Sequence, residues 1–138
     1  MTLPSQLTLE VVTPDRSLVS QLVDEVQSPG AEGYFGVLPG HTPLLVTMNV
    51  GELWYRNGQQ RSFLSIALGF AEVLPDRVTI LAKVAECAEA IDVERAQLAR
   101  QRAEERLTQR AVDSDGERAR LSLLRSRTRL QVASQSLR

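Results

Sequence analysis

This chain is short of the groups on which most site chemistry depends. Its 138 residues include one cysteine (Cys87), one histidine (His41), one lysine (Lys83) and one tryptophan (Trp54). A single cysteine excludes an internal disulfide framework and any multi-cysteine metal site; the usual place of such a residue is a small apolar slot in a core. A catalytic histidine needs a nucleophile or carboxylate held within hydrogen-bond reach, yet His41 lies in Pro39-Gly40-His41-Thr42-Pro43 with no Gly-x-Ser-x-Gly elbow elsewhere. No GxxxxGK[ST] phosphate loop is present. Long apolar runs are missing too: no stretch approaches the roughly 18 residues of a membrane span. The opening MTLPSQLTLE has neither a basic region nor a long apolar segment, so no secretory signal is expected. These absences predict a chain that does no catalysis itself and holds no metal.

What is present is divided unevenly. Residues 1–88 carry five basic and nine acidic side chains, whereas residues 89–138 carry eleven basic, all arginine, and eight acidic. From Glu117 to Arg138 six arginines face one glutamate. Such a tail can meet nucleic acid, anionic lipid or an acidic protein surface. With few aromatics among the arginines, nucleic acid is not favoured. Tyr34-Phe35 and Trp54-Tyr55 read as packing residues, since the neighbouring pattern lacks the basic groups of a stacking platform.

The hydrophobic period also changes along the chain. Leu7, Leu9 and Val11 alternate with Thr8, Glu10 and Val12, the pattern of a half-buried strand. LVDEV, YFGVL, LLVTM, ELWYR, RSFLSI, FAEVL and RVTIL follow as further short runs. Turn signals separate them at Thr13-Pro14-Asp15, Ser28-Pro29-Gly30, Pro39-Gly40, Asn57-Gly58 and Pro75-Asp76. Many short strands with frequent turns predict an N-terminal antiparallel β-sandwich over 1–88. From Asp92 to Arg110 glycine and proline vanish and good helix formers take over. Asp92 is an N-cap candidate with Ile91 as a staple residue, and Ala96, Ala99, Ala103 and Leu107 recur at helical spacing. Asp113-Ser114-Asp115-Gly116 interrupts, and a second helix is predicted over 117–131 with Ala119, Leu121, Leu123, Leu124 and Leu130. Residues 89–138 therefore read as a two-helix antiparallel hairpin. Each helix is only about four turns long and marginal alone, and an alanine-rich seam buries little area at roughly 25 cal/mol per Å². Two outcomes stay open: a rigid hairpin, or one that rearranges when a partner offers a better surface.

The stretch Gly33–Leu45, GYFGVLPGHTPLL, resembles the signature segment of the epsilon-subunit family of F-type ATP synthases, and IDVERA resembles the motif that opens that family's C-terminal helices. VVTPDR, VQSPGAEG and GFAEVLPDRVTILAKVAE fall in matching order, so the resemblance covers nearly the whole chain. Leu68 departs from it, standing where many relatives have a second glycine before Gly69-Phe70.

The resemblance implies a sandwich that docks on the gamma subunit and on the polar loops of the c-ring. It also implies a hairpin that extends along gamma to inhibit ATP hydrolysis. It carries ring- and gamma-facing roles onto Glu32 and Tyr34 and onto Pro39, Gly40 and His41; His41 could equally just fix its own turn. It implies that Arg118, Arg120, Arg125, Arg127 and Arg129 meet acidic patches on the catalytic alpha and beta subunits, against the plainer reading of solvated surface charge. Some bacterial relatives bind regulatory ATP, which would here fall to Glu86, Asp92, Arg95, Arg102, Arg125 and Arg129. Guanidinium forks can clamp phosphates without a glycine loop, but Asp92 could equally be a cap alone. The setting implied is a peripheral one, through the complex, on the cytoplasmic or stromal face of a plasma or thylakoid membrane. The alternative is a generic β-sandwich adaptor whose basic tail recruits some other acidic protein.

Overall fold

A computed structural model describes residues 3–108 and 115–136. Two compact units emerge, residues 1–87 and 88–138. The first holds eight strands: β1 (Leu7–Val12), β2 (Ser17–Val23), β3 (Glu25–Gly30), β4 (Gly33–Val37), β5 (Leu44–Met48), β6 (Gly51–Asn57), β7 (Gln60–Leu74) and β8 (Arg77–Cys87). They run in the order β2-β1-β8-β7-β5-β3-β4, with β6 bridging β3 and β7. Every strand sends side chains into one core. Leu7, Leu9 and Val11 of β1 are fully buried, as are Val26, Val37, Leu53, Ile66, Val73 and Ile80 from other strands. Alternate burial, the period read from the sequence, is clearest on β1, where Leu7, Leu9 and Val11 are buried and Thr8, Glu10 and Val12 only half so.

The sequence predicts an antiparallel sandwich, and the pairings are antiparallel with one addition. β1 lies parallel to β8, Leu9 opposite Val78 and Val11 opposite Ile80. The two strands are far apart in the chain, so no hairpin dictates their direction. Three local expectations are revised. LVDEV is not one strand, because Asp24 stands between β2 and β3. Its carboxylate accepts the Gly58 amide at 2.6 Å and the Gln6 side-chain amide at 3.2 Å. Those two bonds, with the charge of Arg56, hold its carboxyl below the ordinary Asp value. Ser28-Pro29-Gly30 is not a turn but the end of β3; the reversal comes at Ala31-Glu32, flanked by the Gly30–Gly33 pair. The Pro29 ring fits there because Gly51 has no side chain: a Cβ on Gly51 would lie 2.6 Å from Pro29 Cβ. RSFLSI and FAEVL are one continuous strand, β7, rather than two.

A crease across β7 explains why that strand read as two. Leu64 and Ile66 point inward, and so do Ala71 and Val73, so the inward parity switches between them. On β8 the same switch separates Ile80 and Ala82 from Ala85. Register is kept across it, Ala67 opposite Val84 and Gly69 opposite Ala82. The reversal of face is taken up by Leu68 and Gly69, with φ of 63° and 143°. The glycine expected before Gly69 is thus replaced by a leucine in the left-handed region, a conformation that costs roughly 1–2 kcal/mol for a residue with a Cβ.

The second unit begins with a 3₁₀ turn (Ala88–Ala90) and continues through α1 (Val93–Thr108) and α2 (Asp115–Gln135). Asp92 Oδ1 accepts the Arg95 amide at 3.1 Å, the N-cap bond that its position suggests. Ile91 and Ala96, the staple pair, are both buried. On α1 the seam is the expected one, with Ala96 and Ala103 buried and Ala99 and Leu107 half-buried. On α2 it differs: Ala119, Ser126, Thr128, Val132 and Ala133 are buried, Leu121, Leu123 and Leu130 only half so, and Leu124 is exposed. α2 also starts earlier and ends later than predicted, since Gly116 is tolerated in a first turn and Val132 and Ala133 prolong the buried stripe. Asp113 and Ser114 lie outside the described residues. The hairpin is thus held by a seam mostly of small residues, with Val132 the one larger apolar side chain of α2 fully buried in it.

Candidate functional site

Three surfaces carry the groups singled out by the sequence. The first is the run from the β3–β4 turn to the start of β5. Glu32 is exposed on that turn and has no ion-pair partner among the described residues. Tyr34 is 58% exposed, but its hydroxyl accepts the Glu52 amide at 3.2 Å and would lie 2.8 Å from a Cβ on Gly51. Tyr34 therefore braces the turn against β6 as well as facing solvent. Pro39, Gly40 and His41 lie at the far end of β4, roughly 16 Å along a five-residue strand at about 3.3 Å per residue. There the Gly40 amide donates to Pro75 O at 2.7 Å and the His41 amide to Leu38 O at 3.1 Å. His41 Nδ1 lies 2.6 Å from Thr42 O, a carbonyl that can only accept, so the imidazole donates to its own loop. The two segments are separate patches, not one cluster.

The second surface was not legible in the sequence. On the outer face of the sheet Phe70 pairs with Leu81, and Leu81 lies beside Val12. Phe70 and Leu81 remain 55% and 53% exposed. On β5 the row ends, because Thr47 faces Phe70 and the exposed Leu45 faces Glu72. Outward positions of a strand are ordinarily polar, and a contiguous apolar row there marks a docking face. The signal was present in the alternation of FAEVL and RVTIL, where apolar residues fill both parities, but only strand order shows that they adjoin.

The third surface is the hairpin. Arg120 pairs with Glu117 at 3.1 Å, and Arg127 reaches Glu104 of α1 at 3.9 Å. Glu104 and Arg127 each follow a seam residue by one place, Ala103 and Ser126, so those edges of the two helices meet. The opposite edges, one place before the seam, carry Arg95 and Arg102 on α1 and Arg118 and Arg125 on α2. None of these four side chains has an ion-pair partner among the described residues. An edge of unpaired guanidinium groups is suited to polyanions. Arg129 stands apart, half-buried towards the seam. Asp92 is engaged as the cap of α1, and Glu86 belongs to β8 in the other unit. Among the described residues no group of acidic, His and Cys side chains could hold a metal, and no helix is long and apolar enough to cross a membrane.

Comparison with known proteins matches residues 6–88 to the ATP synthase Delta/Epsilon chain beta-sandwich domain and residues 89–134 to the ATP synthase Delta/Epsilon chain long alpha-helix domain. The ATP synthase epsilon chain of Syntrophobacter fumaroxidans is 50% identical over 131 residues, covering 95% of this chain and 98% of that one. The epsilon chain of Koribacter versatilis is 52% identical over 98 residues, 71% of this chain and 69% of that one. A chain of the Euglena gracilis mitochondrial ATP synthase, in a cryo-EM structure of OSCP/F1/c-ring, shares the fold. Its TM-score is 0.74 at 23% identity, covering all of this chain and 85% of that one.

Proposed function

Because the chain belongs to the ATP synthase delta/epsilon family, we propose that it is a non-catalytic rotor subunit that links gamma to the c-ring and restrains ATP hydrolysis through its helices. The observation that carries this is the division into two units of opposite character. One is a sandwich with a complete core and an apolar outer row, fit to be a fixed coupling part. The other is a hairpin with a thin Ala/Ser seam and an arginine-covered surface, fit to change partners. Within the complex, the chain would be peripheral to the membrane on its cytoplasmic or stromal face.

Docking on a gamma-type coiled coil falls to the row of Phe70, Leu81 and Val12, with Glu32, Tyr34 and the Pro39–His41 turn towards the ring. Phe70→Arg is expected to weaken gamma binding by at least about 2 kcal/mol, the scale of an interface hot spot, while leaving the circular dichroism unchanged. Titration calorimetry with purified gamma checks it; undiminished affinity would move the docking face elsewhere.

The restraint on hydrolysis falls to Arg118, Arg120, Arg125, Arg127 and Arg129. In the closed hairpin Arg127 is tied loosely to Glu104, and opening would free it for acidic patches on the catalytic subunits. Replacing Arg120, Arg125 and Arg127 by Ala is expected to relieve inhibition, most at low ionic strength, since exposed charges are screened over about 8–10 Å at physiological salt. Inhibition unchanged across a salt titration would point to steric blocking.

A regulatory role for ATP is favoured by the unpaired edge of Arg95, Arg102, Arg118 and Arg125. Phosphates held there, with Glu86, Asp92 and Arg129 as the family's further candidates, would stabilise the closed hairpin. At a hundredfold excess over Kd that amounts to about 2.7 kcal/mol. Calorimetry of the isolated chain at millimolar ATP is expected to show binding that Arg102→Ala with Arg125→Ala abolishes. No heat, or heat that survives those changes, would remove the role.

A further inference from the structure

Asn57 and Gly58 lie at the tip of the β6–β7 hairpin, and both are exposed. In an Asn-Gly pair the second residue has no side chain to shield its nitrogen, so that nitrogen can attack the preceding side-chain amide. The chemistry fixes the steps. The Gly58 nitrogen gives up its proton to water or hydroxide and bonds to Asn57 Cγ. The Cγ–Nδ2 bond breaks, ammonia leaves, and a five-membered succinimide remains. Water then adds to either ring carbonyl and breaks its bond to nitrogen. Aspartate or isoaspartate is left at position 57, and the Gly58 nitrogen regains a proton.

The structure sets two obstacles against that attack. Asp24 Oδ2 accepts the Gly58 N–H at 2.6 Å, so the nucleophile is held protonated beside a negative charge. Asn57 is also the last residue of β6 and pairs with Gln60. That pairing keeps its backbone extended, with ψ of about +135° for an antiparallel strand, far from the value at which the ring closes. Arg56 tightens the hold. Its Nη1 donates to Gly58 O at 2.9 Å and lies 3.6 Å from Asp24, while its Nε donates to Glu25 at 2.9 Å. Gly58 is therefore pinned at both its N–H and its C=O by charged side chains. We propose that Asn57 is a deamidation site kept closed by Asp24, so that conversion proceeds only when the hairpin tip leaves that carboxylate. The product cannot close as before. A carboxylate at position 57 joins Asp24 and Glu25 around the one guanidinium of Arg56. Isoaspartate also adds a carbon to the main chain where Asn57 and Gln60 pair. The conversion thus marks, irreversibly, the chains whose hairpin has opened.

The test incubates the full chain in mildly alkaline buffer and follows its peptides by mass spectrometry, with isoaspartyl methyltransferase labelling for the rearranged product. Rates are read against Asn49, the one other asparagine, which precedes the branched Val50. Conversion at position 57 should be much slower in the folded chain than in urea. Asp24→Ala should speed it in the folded chain at least about tenfold, the worth of one hydrogen bond to a charged group. Asp24→Asn, which keeps an oxygen acceptor without the charge, should fall between. Hydrogen exchange at the core amides of Ile66 and Ile80 should stay near parental in both variants, which separates release of the tip from global unfolding. Folded and unfolded chains converting at one rate, Asp24→Ala converting no faster than the parent, or acceleration matched by an equal loss of core protection would overturn the proposal.

Discussion

Gly69→Ala should come close to unfolding the sandwich. A Cβ at Gly69 would lie 2.1 Å from Leu81 O and 2.9 Å from Ala82 Cα, both backbone atoms of β8 that no rotamer change can move. The residue also has φ of 143°, which side-chain-bearing residues rarely adopt. Relief requires β7 and β8 to separate at the crease where both strands change face, so the cost falls on the whole core. Roughly 3–5 kcal/mol is expected, at the upper end for a single substitution. For a domain of this size each kcal/mol moves the melting midpoint by about 4–8 °C, so the loss should exceed about 12 °C. The neighbouring change has a different sign. Leu68→Gly relieves a left-handed leucine worth roughly 1–2 kcal/mol and adds chain entropy of about 0.5–1 kcal/mol. It should leave the midpoint unchanged or raise it. Thermal melts of the two variants decide the matter, and a Gly69→Ala protein melting within a few degrees of the parent would show that the close approach of β8 is not required.

The second large effect concerns the division of labour. All residues of the hydrophobic core cluster lie between Leu7 and Ala85, so residues 1–88 keep every strand and the whole core. That piece should fold cooperatively alone and retain the Phe70–Leu81 row. What it loses is the arginine-bearing hairpin, whose seam residues Ala96, Ala103, Ala119 and Ser126 bury little area. An element of such thin packing lies close to its alternatives, so modest partner contacts can redirect it. Removing it should leave gamma binding intact and release hydrolysis.

Much of this was legible in the sequence because it is local. The alternation of Leu7, Leu9 and Val11, the turn at Pro75-Asp76 and the cap at Asp92 each depend on near neighbours, and each stands where its pattern placed it. What escaped depends on contacts between distant residues. The break at Asp24 is made by Gly58 and Gln6, the seating of Pro29 by the missing side chain of Gly51, and the parallel β1–β8 pair by the closure of the sandwich. The candidate site divides the same way. The arginines could be enumerated from sequence, but that Arg95, Arg102, Arg118 and Arg125 share one edge follows from the seam, which serine and alanine define more than leucine. Phe70 and Leu81 passed as ordinary strand residues until the strand order set them side by side. Glu32 and Tyr34 on one side and Pro39–His41 on the other read as two loops in the sequence, and β4 is what spaces them.

The account stands or falls most directly on ATP hydrolysis by an F-type ATP synthase assembled either with the full chain or with residues 1–88. Both forms should bind gamma with equal affinity. The shortened form should hydrolyse ATP at least about fivefold faster, the factor that 1 kcal/mol of bias commands. Equal rates, or faster hydrolysis with the full chain, would contradict a regulatory role for the helices.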